Sequence, residues 1–163
     1  MKKQQSIKLQ YNEYTSLNSL LKVDQKLLYK AVEVAKNAYA PYSDFKVGCA
    51  IQMMNGSVVI GSNQENAAYP SGLCAERVAL FSASANNPEE EMHTIAVFAE
   101  KDLGYDEPVS PCGACRQVMM EYELKQARKL RVLLMGSSGK VWEFESVSSL
   151  LPFAFIFKPQ KSS

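Results

Sequence analysis

The order in which helical and strand patterns alternate along the chain is the strongest constraint on its fold. From Asp24 to Pro41, apolar residues recur every three or four positions, which is typical of an amphipathic helix with Asp24 as its N-cap. Asn55-Gly56 then lies between the β-rich segments FKVGCAIQMM and SVVIGSN, and this is the strongest short-range pattern for a hairpin. One helix followed by two antiparallel strands is therefore predicted.

The rest of the chain continues this alternation. After a loop with Pro70 and Gly72, the patterns predict a helix at CAERVALFSASA, a strand at HTIAVFAE, a helix at GACRQVMMEYE, and strands at KLRVLLMG and KVWEFE. This order predicts the α/β class, as a three-layer α/β/α fold with a single mixed five-stranded sheet. A weak alternation of Ile7, Leu9 and Tyr11 leaves open whether the N-terminal part is a short edge strand or an extended arm.

One domain accounts for most of the chain. Its 163 residues, of which 47% are hydrophobic, can form one core but not two ordinary domains with a linker. We predict an N-terminal extension over residues 1–23, the folded domain over residues 24–157, and a C-terminal tail over residues 158–163.

The charge balance limits the classes of partner. The 18 basic and 17 acidic side chains leave a net charge of +1, so no overall field attracts nucleic acid or an anionic membrane. No apolar run approaches the roughly 20 residues of a membrane-spanning helix, and MKKQQSIKLQ has no apolar segment behind its basic start. We therefore expect a cytoplasmic protein that binds a small molecule or another protein.

Three of the four cysteines lie at predicted helix starts. Cys112 comes just before the third predicted helix, Cys115 lies in its first turn, and Cys74 has the matching position in the second. Both helices follow strands of one sheet, so their N-termini should meet at the same edge. Three thiolates there would suit a tetrahedral zinc site, although the Cys112–Cys115 pair by itself also fits a redox couple.

The fourth position around the metal decides between a structural and a catalytic zinc site. Cys49 alternates within a predicted strand as a core residue does, and His93 follows an acidic run in what resembles an exposed connection, so neither is the preferred ligand. If water takes the position, Glu76 is near enough in sequence to Cys74 to exchange protons with it. The alternative is that Glu76 only complements the helix dipole.

Three thiolates leave a divalent zinc ion with a net negative charge that needs compensation. The two helix N-termini supply partial positive charge, and Arg77 and Arg116 each sit beside a ligand-bearing turn. We predict Arg77 as the thiolate partner, because an arginine in a first helical turn is otherwise unfavourable with the dipole.

The segments CAER and PCGACRQ together resemble the zinc-dependent cytidine deaminase family, in its homotetrameric branch with three cysteine ligands. The similarity runs from about Asp24 to Phe155 and includes YAPYSDFKVG, NQENAAYPSGLCAER and LLPFAF. It implies a cytidine deaminase-like fold, one Zn²⁺ per chain, Glu76 as the catalytic residue, and active sites at the subunit interfaces of a homotetramer. The zinc ligands that it implies are Cys74, Cys112 and Cys115.

The resemblance also implies substrate contacts. Asn63 and Glu65 match a pair that binds the ribose 3′-hydroxyl, and Phe45 matches an aromatic residue that packs on the pyrimidine. The full implied set is Phe45, Val47, Asn63, Glu65, Ala75, Ser110 and Phe155. The register of Phe155 stays ambiguous with Phe153 and Phe157, and Tyr69 matches a residue at the subunit boundary.

The implied activity is the hydrolytic deamination of cytidine, and of 2′-deoxycytidine, to uridine or deoxyuridine and ammonia in pyrimidine salvage. Two alternatives stay open, namely a related deaminase for a blasticidin-type antibiotic or a nucleotide, and a non-catalytic zinc-binding module. Nucleotides and polynucleotides would need clustered basic residues, and the sequence shows no such cluster near Phe45, Asn63 or Tyr69.

Overall fold

Three α-helices and one six-stranded sheet form the described part of the chain, residues 2–101 and 107–157 of a computed structural model. The sheet order is β1-β6-β5-β4-β2-β3, with β4 and β5 parallel and all other neighbours antiparallel. The predicted tail lies outside the described residues. In chain order the elements are β1 (Asn12–Tyr14), α1 (Lys22–Ala35), β2 (Val47–Met53), β3 (Val58–Ser62), α2 (Ala75–Asn86), β4 (Met92–Ala99), α3 (Gly113–Lys125), β5 (Arg131–Met135) and β6 (Val141–Phe144).

The sheet packs helices on both faces, which confirms the predicted three layers. On one face, Ala50, Ala96 and Leu133 form a core with Leu28 and Ala31 of α1. The alternate residues of the same strands face α2 and α3 and form the larger core. None of the described helices has both the length and the apolar character needed to cross a membrane.

The strand directions bring two helix starts to one edge of the sheet. Strands β3 and β4 run in the same direction, because each is antiparallel to β2 between them. Helix α2 follows β3 and α3 follows β4, both on the same face, so both N-termini open at the same edge. Gly61 of β3 lets α2 lie close to the sheet, since a Cβ atom there would stand 2.6 Å from the backbone nitrogen of Ala79.

The hairpin predicted at Asn55-Gly56 is present between β2 and β3. Gly56 has a φ of 88°, in the left-handed region that favours glycine. The Asn55 Oδ1 atom accepts a hydrogen bond from the Ser57 N–H at 2.9 Å. Asn55 has no positive φ, so the turn is not the two-residue type I′ turn that Asn-Gly commonly forms. The Gly56 N–H instead donates to the Met53 carbonyl oxygen at 3.1 Å, and the glycine takes the left-handed position that follows this turn.

The predicted count of five strands is wrong, because the N-terminal segment adds β1 to the sheet edge at β6. Trp142 Nε1 donates to the Glu13 carboxylate at 2.8 Å, and the Tyr14 hydroxyl donates to Glu143 at 2.7 Å. The Tyr11 ring packs on Trp142 with 5.3 Å between ring centroids. The hydrogen-bonded partners are 129 positions apart, so no local pattern reveals this strand.

Asp24 is not the N-cap of α1, because the helix begins at Lys22 and Leu21 takes the cap position without a side-chain hydrogen bond. Asp24 is buried in the first turn and forms an ion pair with Arg131 of β5. Arg131 also pairs with Glu143 at 2.8 Å. The Asp24 carboxylate, which the sequence pattern assigns to helix capping, therefore forms a long-range ion pair instead.

Tyr14→Phe should lower the free energy of unfolding by about 1 kcal/mol at neutral pH, because it removes a hydrogen bond to the Glu143 carboxylate. That bond, with burial, raises the pKa of Tyr14, so the folded state favours the neutral phenol. The stabilisation should be complete below about pH 10 and be lost as the pH rises through the raised pKa. Urea unfolding of both proteins across this pH range measures the difference.

The control is Tyr29→Phe, on the exposed surface of α1. It should leave the unfolding curve unchanged at every pH. Wild-type stability in Tyr14→Phe at neutral pH would contradict the assigned role of β1.

Candidate active site

The sulfur atoms of Cys74, Cys112 and Cys115 meet where α2 and α3 begin. They all lie within 4.8 Å of one another. Cys74 and Cys112 are the N-cap residues of the two helices, and Cys115 lies in the first turn of α3. The predicted convergence of the three thiols is confirmed.

The donor set of this cluster fits zinc. Zinc–sulfur bonds of about 2.3 Å in a tetrahedral site place sulfur atoms about 3.8 Å apart, so the observed spacing needs only a small contraction. Cys115 is completely buried, whereas Cys112 is exposed, so the cluster has a protected side and an open side. Three protein ligands with an open side are typical of catalytic zinc sites.

The cluster favours a thiolate at Cys74. The Cys115 thiol donates to its sulfur and Arg77 lies beside it, and together they lower the pKa of Cys74 to about 5. The same hydrogen bond, together with burial, raises the pKa of Cys115. The pKa values of the two sulfurs are thus moved apart, with the thiolate favoured at Cys74 and the thiol at Cys115.

The two candidate arginines have different contacts. Arg77 Nη2 lies 3.7 Å from the Cys74 sulfur. Arg116 donates instead to the carbonyl oxygens of Pro111 at 2.7 Å and Leu150 at 3.1 Å. Arg77 is thus placed for charge compensation, whereas Arg116 holds the loop that leads to Cys112.

Glu76 lies in the first turn of α2 and is only 4% exposed. Burial, assisted by the Cys74 charge, raises its pKa above that of an ordinary glutamate. It shares one cavity with Cys74 and Cys112. A buried carboxylate with a raised pKa beside three candidate zinc ligands is suited to proton transfer near neutral pH.

Cys49 and His93 lie outside the sulfur cluster. Cys49 is fully buried in the core between the sheet and the helices that begin at the cluster, and burial raises its pKa. His93 is exposed as expected, and it lies in β4, which agrees with the strand predicted at HTIAVFAE and not with a place in the preceding connection. The strand begins at Met92, which pairs with Met53 of β2, and the Gln126 side chain bonds both main-chain groups of Met92.

A cavity of about 240 Å³ opens beside the cysteines. The hydroxyl-bearing Ser43 and the apolar Val97 also line it, and no pattern in the sequence indicates either residue as part of the site. Six predicted substrate contacts line it, namely Phe45, Val47, Asn63, Glu65, Ala75 and Ser110.

The Asn63 amide holds the start of β2. Its Oδ1 atom accepts from the Val47 N–H, and its Nδ2 atom donates to the Phe45 carbonyl oxygen, both at 2.8 Å. These bonds fix the backbone that carries two walls of the cavity. The amide keeps one further N–H and one lone pair with which it can contact a ligand.

The Glu65 carboxylate holds the loop on the other side of the cavity. It accepts from the Tyr42 N–H at 2.8 Å, from the Ser43 N–H at 3.3 Å, and from the Ser43 hydroxyl. These bonds, with that from the hydroxyl the largest, lower the pKa of Glu65. Glu65 is therefore an ionised acceptor at the rim of the cavity.

Tyr69 and Phe155 lie apart from this cavity. Tyr69 lines an adjoining cavity of about 480 Å³, which shares Asn63, Glu65 and Cys74 with the first. Phe155 is 75% exposed on the C-terminal segment. We take the smaller cavity as the active site because it contains Glu76.

The fold and the site together define a class of protein. Three thiols at two helix N-termini, a buried carboxylate that is not a ligand, and a small-molecule cavity match the zinc-dependent nucleobase deaminases. Residues 21–129 match the family described as "Cytidine and deoxycytidylate deaminase zinc-binding region". The chain belongs to this family, and β1 lies before the matched range.

Individual relatives agree with the family. The chain is 44% identical over 131 residues to a cytidine deaminase of Halalkalibacterium halodurans, which covers 80% of this chain and 92% of the relative. It is 38% identical to a cytidine deaminase of Sporosarcina psychrophila, covering 80% and 90%. The crystal structure of cytidine deaminase from Burkholderia pseudomallei superposes with a TM-score of 0.71 at 43% identity, covering 80% of this chain and 97% of that one.

Proposed function

We propose that this protein catalyses the zinc-dependent hydrolytic deamination of cytidine to uridine and ammonia. The observation that carries the proposal is the buried Glu76, which lines one cavity together with Cys74 and Cys112, two of the three converging thiols. The 44% identity to a cytidine deaminase supports the same reaction.

Cys74, Cys112 and Cys115 would hold one Zn²⁺ per chain. When bound, the ion supplies the Lewis acidity that makes a water molecule nucleophilic near neutral pH. Arg77 and the two helix N-termini offset the negative charge of the thiolates.

Glu76 moves the protons of the reaction. Its carboxylate takes a proton from the attacking water and delivers it to N3 of the pyrimidine as oxygen adds to C4. It then transfers the second water proton to the C4 amino group, which leaves as ammonia while uridine remains. The enclosed position of Glu76 keeps bulk water away from these transfers.

The residues that line the cavity fit a nucleoside substrate. Phe45 and Val47 offer apolar surface to the base, while Asn63 and Glu65 offer polar groups to the ribose 3′-hydroxyl. Because 2′-deoxycytidine has the same 3′-hydroxyl, we propose it as a second substrate. None of the described residues that line this cavity is basic, so a nucleotide phosphate would lack a partner there.

Ammonia release from a panel of cytidine, 2′-deoxycytidine, cytidine monophosphate and a blasticidin-type antibiotic tests the proposal. We expect turnover of the two nucleosides and little turnover of the nucleotide. A zinc-loaded protein that releases ammonia from none of them would leave the non-catalytic zinc module as the better description. Turnover of the nucleotide or the antibiotic alone would identify the related deaminase.

We further propose that the active protein is a cytoplasmic homotetramer that works in pyrimidine salvage and shares its active sites between subunits. Large aromatic side chains are exposed on the single chain at 78% for Tyr69, 85% for Phe153, and 75% for both Phe155 and Phe157. Exposed aromatic groups of this size are typical of surfaces that another chain covers. In this arrangement Phe155 completes the substrate pocket of a neighbour.

A mixture of Phe155→Ala and Glu76→Ala chains should be more active than the sum of the two separate proteins. In a mixed tetramer, a site with an intact Glu76 can receive Phe155 from its neighbour. Co-refolding the two variants and measuring uridine formation at low cytidine concentration tests this, with each variant refolded alone as the control. Activity no greater than the sum would contradict shared sites.

A further inference from the structure

The carboxamide of Gln117 pairs with both main-chain groups of Phe155. Gln117 Nε2 donates to the Phe155 carbonyl oxygen at 2.8 Å, and the Phe155 N–H donates to Gln117 Oε1 at 3.0 Å. One side chain thus supplies the pair of hydrogen bonds that a neighbouring strand would give. The backbone of Phe155 is therefore fixed relative to α3.

The residues around Gln117 link this contact to the sulfur cluster. Gln117 lies two positions after Cys115, and Arg116 between them donates to the Leu150 carbonyl oxygen at 3.1 Å. Leu151 and Ala154 of the C-terminal segment pack against the larger core. The segment is thus held along one side, while the Phe155 side chain stays exposed.

We propose that Gln117 is a positioning residue that sets the register of the C-terminal segment, so that Phe155 is the aromatic side chain presented to the neighbouring active site. This rests on the proposed function. In the described part of the chain, neither Phe153 nor Phe157 has a comparable pair of main-chain hydrogen bonds. The ambiguity among the three phenylalanines is resolved by the residue that holds the backbone of only one of them.

The chain contains a matched control at the end of α3. Gln126 bonds both main-chain groups of Met92, with Met92 N–H to Oε1 at 3.0 Å and Nε2 to the Met92 carbonyl oxygen at 2.9 Å. This contact has the same chemistry as that of Gln117, but it lies outside the active-site cavity. Gln126→Ala therefore reports the cost of losing such a contact without moving Phe155.

Gln117→Ala should raise the KM for cytidine about tenfold, with kcat within about twofold of the wild-type value, since two hydrogen bonds that position a binding group are lost. Gln126→Ala should keep the wild-type KM. Steady-state kinetics, zinc content per chain, oligomer size and the thermal midpoint should be measured for both variants. The tetramer and the zinc content should be unchanged in Gln117→Ala.

Gln117→Glu provides a second variant if Gln117→Ala does not fold. It keeps the acceptor for the Phe155 N–H but places a carboxylate oxygen opposite the Phe155 carbonyl oxygen, so its KM should rise at least as much as that of Gln117→Ala. If the wild type is active and the folded Gln117 variants have the wild-type KM, the role assigned to Gln117 is overturned and the proposed function is unaffected. Equal KM increases in Gln117→Ala and Gln126→Ala, or zinc loss in Gln117→Ala, would also overturn it. An inactive wild type would instead overturn the proposed function, and this assignment with it.

Discussion

Glu76→Gln should lower the kcat for cytidine deamination by about 10³-fold, because an amide cannot take the proton from water or return it to the base. The substitution keeps the size of the side chain, so the 4% exposed position should accept it without repacking. Because Glu76 is not one of the clustered thiol ligands, the zinc content should stay at the wild-type level. Uridine formation at saturating cytidine, together with metal analysis, measures both quantities.

Glu121→Gln is the matched control, since Glu121 is exposed on α3 and does not line the active-site cavity. Its kcat should equal the wild-type value. If Glu76→Gln kept the wild-type kcat, the alternative that Glu76 only complements the helix dipole would be preferred. If it lost zinc, Glu76 would have to be assigned to metal binding.

Cys115→Ser should lose most of its zinc and, with it, the deaminase activity. The Cys115 sulfur is fully buried among the three donors, and a serine hydroxyl neither ionises near neutral pH nor offers zinc a soft donor. We expect the zinc content to fall from about one ion per chain to about a tenth of that or less, as three-point binding is reduced to two. The thermal midpoint of the zinc-loaded protein should fall as well, because metal that binds the folded state stabilises it.

Cys49→Ala tests whether this effect belongs to the cluster or to any buried cysteine. Cys49 is equally buried but lies outside the cluster. Its replacement should cost about 1 kcal/mol of stability through a small cavity and leave the zinc content unchanged. Equal zinc in wild type and Cys115→Ser would exclude Cys115 as a zinc ligand and contradict the three-thiol site.

The features that the sequence predicts correctly are those with local patterns. Asn55-Gly56 specifies its turn through backbone geometry, and Cys74 and Cys112 are recognised because each comes directly before a helical pattern. The strand directions then follow from the order of the elements. Strands β3 and β4 are each antiparallel to β2, which lies between them, so they run parallel to each other. The common edge of the two helices could therefore be predicted before the structure was known.

The features that the sequence does not predict depend on partners far away in the chain. Strand β1 is stabilised by partners on β6, and Asp24 is diverted from capping by Arg131, 107 positions away. Ser43 has no pattern of its own, because its contact to Glu65 forms only when the loop closes on the end of β3. Gln117 is part of a recognisable motif, but its partner Phe155 is 38 positions away.

The geometry of the site also depends on Gly61, which has no side chain and takes no part in the reaction. A Cβ atom at Gly61 would meet the backbone of α2 at 2.6 Å, so any larger residue would push the helix outward. Cys74 and Glu76 would move with its N-terminus, away from the two thiols on α3, which a different strand supports. The spacing of the zinc ligands therefore depends on the absence of a Cβ atom in β3, and a side chain at this position would need a compensating change in α2.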